Sequence, residues 1–450
     1  MAQDHDDIDP RIAAAAAAGC EESRLALSRR AVLGLSASFF SWAMVPGFAE
    51  AGSATDPRLL IVVLRGGMDG LNTVVPFGDP DYVTLRGGLA IPAASTIAID
   101  GFFGLNAAMP KFGAMVQAGE AAVVHAACVP LRNRSHFDCQ DNLENGQPGQ
   151  VSTAPSGWLN RLLTALPAGS PVRVNGALQV GPAPLILAGP APVLGWSPAA
   201  FGRPDQVFDN NLVNLYRTAD PVLYDNLSRG LAANAMATAA GTSTTGTLTS
   251  LQKSFRGAAA LMAQPTGPRI AVLSVTGFDT HINQASALAA VLGQLDTALD
   301  DFRTVSGAAW SQTVVACVTE FGRTAKTNGT YGTDHGVGTV ALLAGGSVQG
   351  GKVYGDWPGL AAANLYEGRD LRPTTDLRAV FKGLLADHLG VGRTTLDTAV
   401  FPGSGAIAPM TGLVRAATAP APALAADSVA ENPRSARGIA KFRRLNAAMM

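Results

Sequence analysis

Five short runs of consecutive apolar, largely β-branched residues punctuate the chain: Leu59–Leu64, Ala121–Ala127, Ala271–Val275, Thr313–Thr319 and Thr339–Ala344. Runs that are apolar throughout, instead of alternating, predict strands covered on both faces, the habit of a parallel or mixed sheet flanked by helices. Glycine, proline or polar residues follow each run directly, so polar chemistry gathers where strands end. In open α/β sheets that carboxyl edge is where sites assemble. Two shorter strand-like pieces flank prolines between about 172 and 188. From about 205 to 264 the apolar spacing of three and four predicts helix, broken at Gly241–Gly246. The stretch 190–266 therefore reads as a helical insertion or lid, and Asp376–Leu389 as one more amphipathic helix. The expected fold is an α/β three-layer sandwich with a mostly parallel central sheet.

Composition narrows the function classes. With 33 basic and 34 acidic side chains in 450 residues, the formal charge is −1. That balance argues against a nucleic-acid binder, which relies on a basic excess to neutralise phosphates. A hydrophobic fraction of 47% excludes a disordered chain. The 50 glycines and 28 prolines show no triplet period, so they mark turns and loops, not collagen.

The longest weakly apolar stretch lies near the N-terminus. Two adjacent arginines, Arg29 and Arg30, open a segment that runs to Phe48 and ends in Ala49-Glu50-Ala51, a small-x-small cleavage pattern. The order of charge, apolar run and cleavage site is that of a twin-arginine export signal. Gly34, Ser36, Ser38, Ser41, Pro46 and Gly47 dilute the run, which suits a cleaved leader better than a stable membrane span. Residues 1–51 are therefore expected to be a leader read by the twin-arginine translocation machinery. Residues 52–411 would form a mature domain in the periplasm or outside the cell, and 412–450 an Ala/Pro-rich, then basic, tail. Cys20 falls in the leader, leaving Cys128, Cys139 and Cys317. This odd number allows at most one intrachain bridge and has no metal-ligand spacing.

Histidines and carboxylates recur together in the loops. The settings are Ser135-His136-Phe137-Asp138, Asp279-Thr280-His281 and Asp334-His335, with Asp69 in a glycine-rich turn and Glu320 just past an apolar run. Mixed imidazole and carboxylate donors suit Zn²⁺, Mn²⁺ or iron better than Ca²⁺ or Mg²⁺. There are more candidates than one tetrahedral ion needs, so two divalent transition-metal ions are expected, one holding a nucleophile and the other a substrate oxygen. Each residue also has a plainer reading. Asp69 could be a turn residue, Ser135 a helix cap, and Asp279 and His281 partners in local turn hydrogen bonds. His125, inside an apolar strand, and His388, on a helix's last turn, read as structural. Arg323 could hold two oxygens of an anionic group through its planar fork.

The twin-arginine leader, Leu64-Arg65-Gly66-Gly67-Met68-Asp69-Gly70, Ser135-His136-Phe137-Asp138, Phe278-Asp279-Thr280-His281, Thr319-Glu320-Phe321-Gly322-Arg323-Thr324 and Gly332-Thr333-Asp334-His335-Gly336 together resemble the secreted bacterial domain of unknown function 1501 family, across essentially the whole mature chain. That family is similar to a branch of the alkaline phosphatase/sulfatase superfamily, whose members hydrolyse phosphate or sulfate esters at a bimetallic site on an α/β sheet. The resemblance implies Asp69 as a ligand of the first metal, Ser135 as the nucleophile, and Asp279 with His281 as ligands of the other metal. Either Glu320 takes the place of an aspartate with His335 as the final histidine, or Asp334 and His335 are themselves the pair. The strand that resumes at Thr339 favours the first, with Asp334 as a supporting or additional ligand.

The expected activity is thus metal-dependent hydrolysis of an anionic ester. A secreted binding or assembly protein on the same fold, for instance one that binds glycans, is the alternative. A plain serine esterase lacks support, because no Gly-x-Ser-x-Gly elbow surrounds Ser135.

Overall fold

A computed structural model of the chain describes residues 56–151, 154–198, 206–242 and 247–415. The twin-arginine leader and almost all of the basic tail lie outside the described residues. Among the described residues twelve strands run in chain order: β1 (Arg58–Leu64), β2 (Val74–Val75), β3 (Thr96–Ala98), β4 (Gly104–Asn106), β5 (Ala121–Cys128), β6 (Ala177–Val180), β7 (Val193–Trp196), β8 (Ile270–Val275), β9 (Thr313–Val318), β10 (Thr339–Ala344), β11 (Val353–Tyr354) and β12 (Thr375–Asp376). Nine of them form one sheet in the order β11-β5-β10-β9-β1-β8-β6-β7, with β12 also paired to β5; β2, β4 and β3 form a small antiparallel sheet. In the large sheet every pairing is parallel except those of β10, which runs antiparallel to both β5 and β9.

The strands are apolar throughout because both faces are covered. Along β1, Leu60, Val62 and Leu64 point into one core and Leu59, Ile61 and Val63 into the other. The first core is closed by helices Pro110–Gln117, Ser250–Met262 and Gln284–Ser306, the last through Leu288, Leu292, Leu295, Leu299 and Phe302 at helical spacing. Helices His136–Asn145, Trp158–Ala165 and Leu377–Leu389 close the second, with Trp158 stacked on Phe381 at 4.7 Å. The result is a three-layer α/β/α sandwich. Each fully buried Val, Leu or Ile in it contributes about 1.5–3 kcal/mol relative to exposure.

Several local readings change. Of the two strand-like pieces expected between about 172 and 188, the first is met in part: residues 171–175 form a helical turn, with Pro171 pre-set for its first position, and the strand follows as β6. The second strand-like piece, Leu185–Leu187, is a 3-10 turn after Pro184, and the edge strand comes later, as β7. The helical stretch holds Gln206–Ala219, Pro221–Thr242 and Ser250–Met262. The first two are separated at Asp220, whose carboxylate accepts from the amides of Val222 and Leu223. Helix Ser250–Met262 buries Phe255, Ala258, Ala259 and Met262 against the sheet, and so belongs to the helical layer.

The topology positions the site. Parallel β1, β5, β8 and β9 end at one edge of the sheet, and antiparallel β10 begins there. The loops 65–69, 129–135, 276–283, 319–325 and 332–338 therefore meet, and they carry almost all the histidine and carboxylate motifs.

Candidate functional site

Three imidazoles converge on Asp279. His335 Nε2 lies 3.0 Å from His281 Nε2 and 3.4 Å from Asp279 Oδ1, while His281 Nε2 is 3.0 Å from the same oxygen. His136 Nε2 approaches Asp279 Oδ2 at 3.6 Å. His136, Asp279 and His335 each offer a donor atom within 4.8 Å of the others, a group that could hold a metal ion. Phe321, buried beneath His136 and His335 with ring centroids 4.7 and 4.9 Å away, gives the cluster an apolar floor.

Each ring is oriented from behind. His136 sits in the first turn of helix His136–Asn145, and its Nδ1 meets Glu320 Oε1 at 2.8 Å. His281 Nδ1 faces Asp334 Oδ1 at 3.3 Å, and His335 Nδ1 faces the Arg134 carbonyl at 3.0 Å. All three partners are acceptors, so Nδ1 donates in each ring and Nε2 faces Asp279, able to carry a proton toward the carboxylate or, once deprotonated, to offer a lone pair to a cation. Such outward acceptors behind inward-facing imidazoles are the usual support of metal-ligating histidines. One atom carries this fit further: His136 Nε2 is buried with no hydrogen-bond partner. Three imidazole nitrogens and one carboxylate match the donor preferences of zinc-like ions.

The electrostatics agree. Asp279, despite partial burial, is held far below the ordinary carboxylate range by His136, His335 and Arg323. The Asp279 and Glu320 carboxylates raise His136 to about 9. The charge distribution that would attract a cation here also attracts a proton.

Close backbone approach makes the convergence feasible. Gly66, at φ +118°, brings the loop after β1 against that after β8; a Cβ there would stand 2.5 Å from the Asp279 amide nitrogen. Gly332 lies so near the His281 carbonyl that a Cβ would be 2.0 Å from its oxygen.

The remaining candidates have other placements. Glu320 is fully buried, and its oxygens accept from the Gly66 amide, His136, Gln140 and the Thr319 hydroxyl, so it stands behind His136. Arg323 is buried too. Its guanidinium donates to the carbonyls of Gly66, Gly67, Phe278 and Thr333 and to Asp279, tying three loops together. The structure does not bring Asp69 to the cluster: it caps helix Gly70–Thr73 and pairs with buried Arg86. Ser135 caps helix His136–Asn145, its Oγ accepting from the Asp138 amide at 3.4 Å, and directly precedes the ring that enters the cluster. Asp334, largely exposed, is lowered first by the Asn328 amide.

His136 is the residue that sequence reasoning left without a role. Its signal was its position, one residue past a serine cap, where a first-turn side chain points back over the loop. His125 and His388 are structural. They bond the carbonyls of Val74 and Arg58, and burial pushes both down to about 4. Cys128, Cys139 and Cys317 are free, buried thiols, with no bridge among them.

No helix among the described residues is long and apolar enough to cross a membrane. Solved structures similar to this chain include Ps i-CgsB in complex with k-i-k-neocarrahexaose, at 12% identity over 67% of this chain and 68% of that one, TM-score 0.34. Another is the C-terminal periplasmic domain of EcEptC from Escherichia coli in complex with Zn, at 9% identity over 66% and 75%, TM-score 0.33. A protein in the alkaline phosphatase superfamily from Vibrio parahaemolyticus matches at 10% identity over 72% and 71%, TM-score 0.34. No curated protein matches the chain. The family model described as protein of unknown function (DUF1501) matches residues 93–399, and the chain belongs to that family.

Proposed function

We propose that this protein is an exported, metal-dependent hydrolase of phosphate or sulfate esters, alkaline phosphatase/sulfatase-like in plan. The observation that carries the reading is the convergence of three imidazole Nε2 atoms on Asp279, each ring backed by its own acceptor. His136, His335 and Asp279 would hold a divalent cation, with His281 beside them. When bound, such an ion supplies electrophilic polarisation of an ester oxygen.

The chain's own residues account for the rest. Ser135, at the N-terminus of a ten-residue helix, is the nucleophile of this reading, because first-turn amides and the helix dipole favour both an alkoxide and an incoming anion. Arg323 keeps Asp279 ionised and aligned, so its contribution is to position the carboxylate. Phe321 excludes water from below. Export through the twin-arginine route would deliver the domain already folded.

The test is metal content followed by a panel of aryl phosphates, phosphodiesters and aryl sulfates. Asp279→Ala or His335→Ala should lose the metal and nearly all turnover, and Ser135→Ala should keep the metal and lose turnover. Full activity in Asp279→Ala refutes the reading. A metal-loaded protein inert on the whole panel would instead fit a secreted binding or assembly role.

A further inference from the structure

The carboxylate expected to hold the first of two ions is already saturated. Asp69 Oδ1 accepts from the amides of Leu71 at 2.9 Å and Asn72 at 3.2 Å, and Oδ2 accepts from Arg86 Nη2 and Gln284 Nε2. A carboxylate offers about four lone-pair positions, and all four are used. Asp69, Arg86, Asn72 and Gln284 are all buried, and Arg86 and Gln284 are completely so.

Arg86 is fixed in turn. Its Nη2 also donates to the Asn72 side-chain carbonyl, and its Nη1 to the carbonyls of Thr324, at 3.1 Å, and Ala325. Gln284 accepts from the hydroxyls of Thr280 and Thr333, which lie in the two loops that carry His281 and His335. The Asp69–Arg86 pair thus links the loop after β1 to three others that build the cluster. Moving Asp69 onto an ion would leave the buried Arg86 guanidinium with neutral acceptors only and its charge unpaired.

We infer that the centre binds one metal ion, held by His136, His335 and Asp279 with His281 beside them, and that the guanidinium of Arg86 is the permanent cation on Asp69 where a second ion was expected. The inference rests on the proposed metal site and sets its stoichiometry and ligand set. Asp69 and Arg86 become positioning residues, which reach the reacting atoms only through the loops they join. A ligand set in which imidazole nitrogens outnumber oxygen also favours a zinc-like ion over Mn²⁺.

The experiment titrates the metal-free full chain with Zn²⁺ and measures ions bound per chain by elemental analysis after removal of excess metal, for the native protein, Asp69→Asn and Asp279→Asn. One ion per native chain, kept in Asp69→Asn and lost in Asp279→Asn, is the expected result. Two per native chain, or loss of an ion in Asp69→Asn, overturns the inference while leaving the hydrolase reading standing. No bound zinc in the native protein removes both. Should Asp69→Asn fail to fold, anomalous diffraction from zinc-loaded native crystals decides: one peak beside Asp279 supports the inference, and a peak beside Asp69 overturns it.

Discussion

Glu320→Gln isolates what a carboxylate behind a ligating imidazole contributes. The substitution preserves shape: the amide oxygen can still accept from Gly66, His136 and Gln140, while the new NH₂ turns toward Thr319, whose hydroxyl can rotate to accept. What disappears is one buried negative charge 2.8 Å from His136 Nδ1. Loss of such support behind a metal ligand typically lowers metal affinity about 10- to 100-fold, which is about 1.4–2.8 kcal/mol. Two measurements check this. Competition with a chromophoric chelator should show zinc affinity down by one to two decades. An NMR titration of the metal-free protein should show the His136 ring losing its proton at a lower pH than in the native protein. Unchanged affinity would mean that His136 is not a ligand, and an unmoved titration would mean that Glu320 does not set its basicity. Glu320→Ala serves as a contrast. It strands the buried Gly66 amide and the Thr319 hydroxyl at about 1–3 kcal/mol each, so it should unfold at visibly lower denaturant concentration, where Glu320→Gln should not.

Other expectations follow from the same geometry. His136 is raised to about 9, so zinc must displace its proton at neutral pH; affinity should climb about tenfold per pH unit from 7 toward 9 and then level off, as calorimetry in buffers of different ionisation enthalpy will show. Because that folded-state value lies above the unfolded one, the metal-free protein keeps this ring's contribution to stability below about pH 6.5 and loses it as pH rises through about 9; the reverse trend in denaturant midpoint would refute the ion pairing. Gly332→Ala should cost about 1–3 kcal/mol by overpacking and weaken zinc binding, since its methyl would collide with the His281 carbonyl; native-like stability would show that the loop can yield. Cys128 and Cys139 are pushed up to about 12 and about 11 by burial, and Cys317 is raised as well, so all three should resist a thiol reagent until the protein is unfolded, as mass mapping of the modified peptides will reveal.

The central strands were legible because burial on both faces leaves uninterrupted apolar runs; Thr339–Ala344 was read with its observed ends and the other four to within a residue. On either side of β6 the pattern misleads, since at 171–175 and 184–187 prolines set backbone angles that hydrophobic content does not report. At the site, sequence located the loops but could not show how their donors divide. Asp69 and Glu320 look like ligands by type and position. Their lone pairs are filled by partners distant along the chain, Arg86 and Gln284 for one, His136 and Gln140 for the other. Arg323 presents the same difficulty, for a planar fork suits a bound anion and four backbone carbonyls equally well. Saturation of a polar group is a tertiary fact, and no local pattern encodes it.

The single reversed strand has a kinetic corollary. β10 lies between β5 and β9 and bonds to both, yet it is made after either of them. Until residue 344 leaves the ribosome, β5 has no strand to pair with, since β10, β11 and β12 all follow it in the chain, and both its borders and the outer border of β9 are open to pairing with the wrong neighbour. Chains shortened before Thr339 should therefore aggregate instead of forming a smaller stable core, and productive assembly must wait for the keystone to slide in.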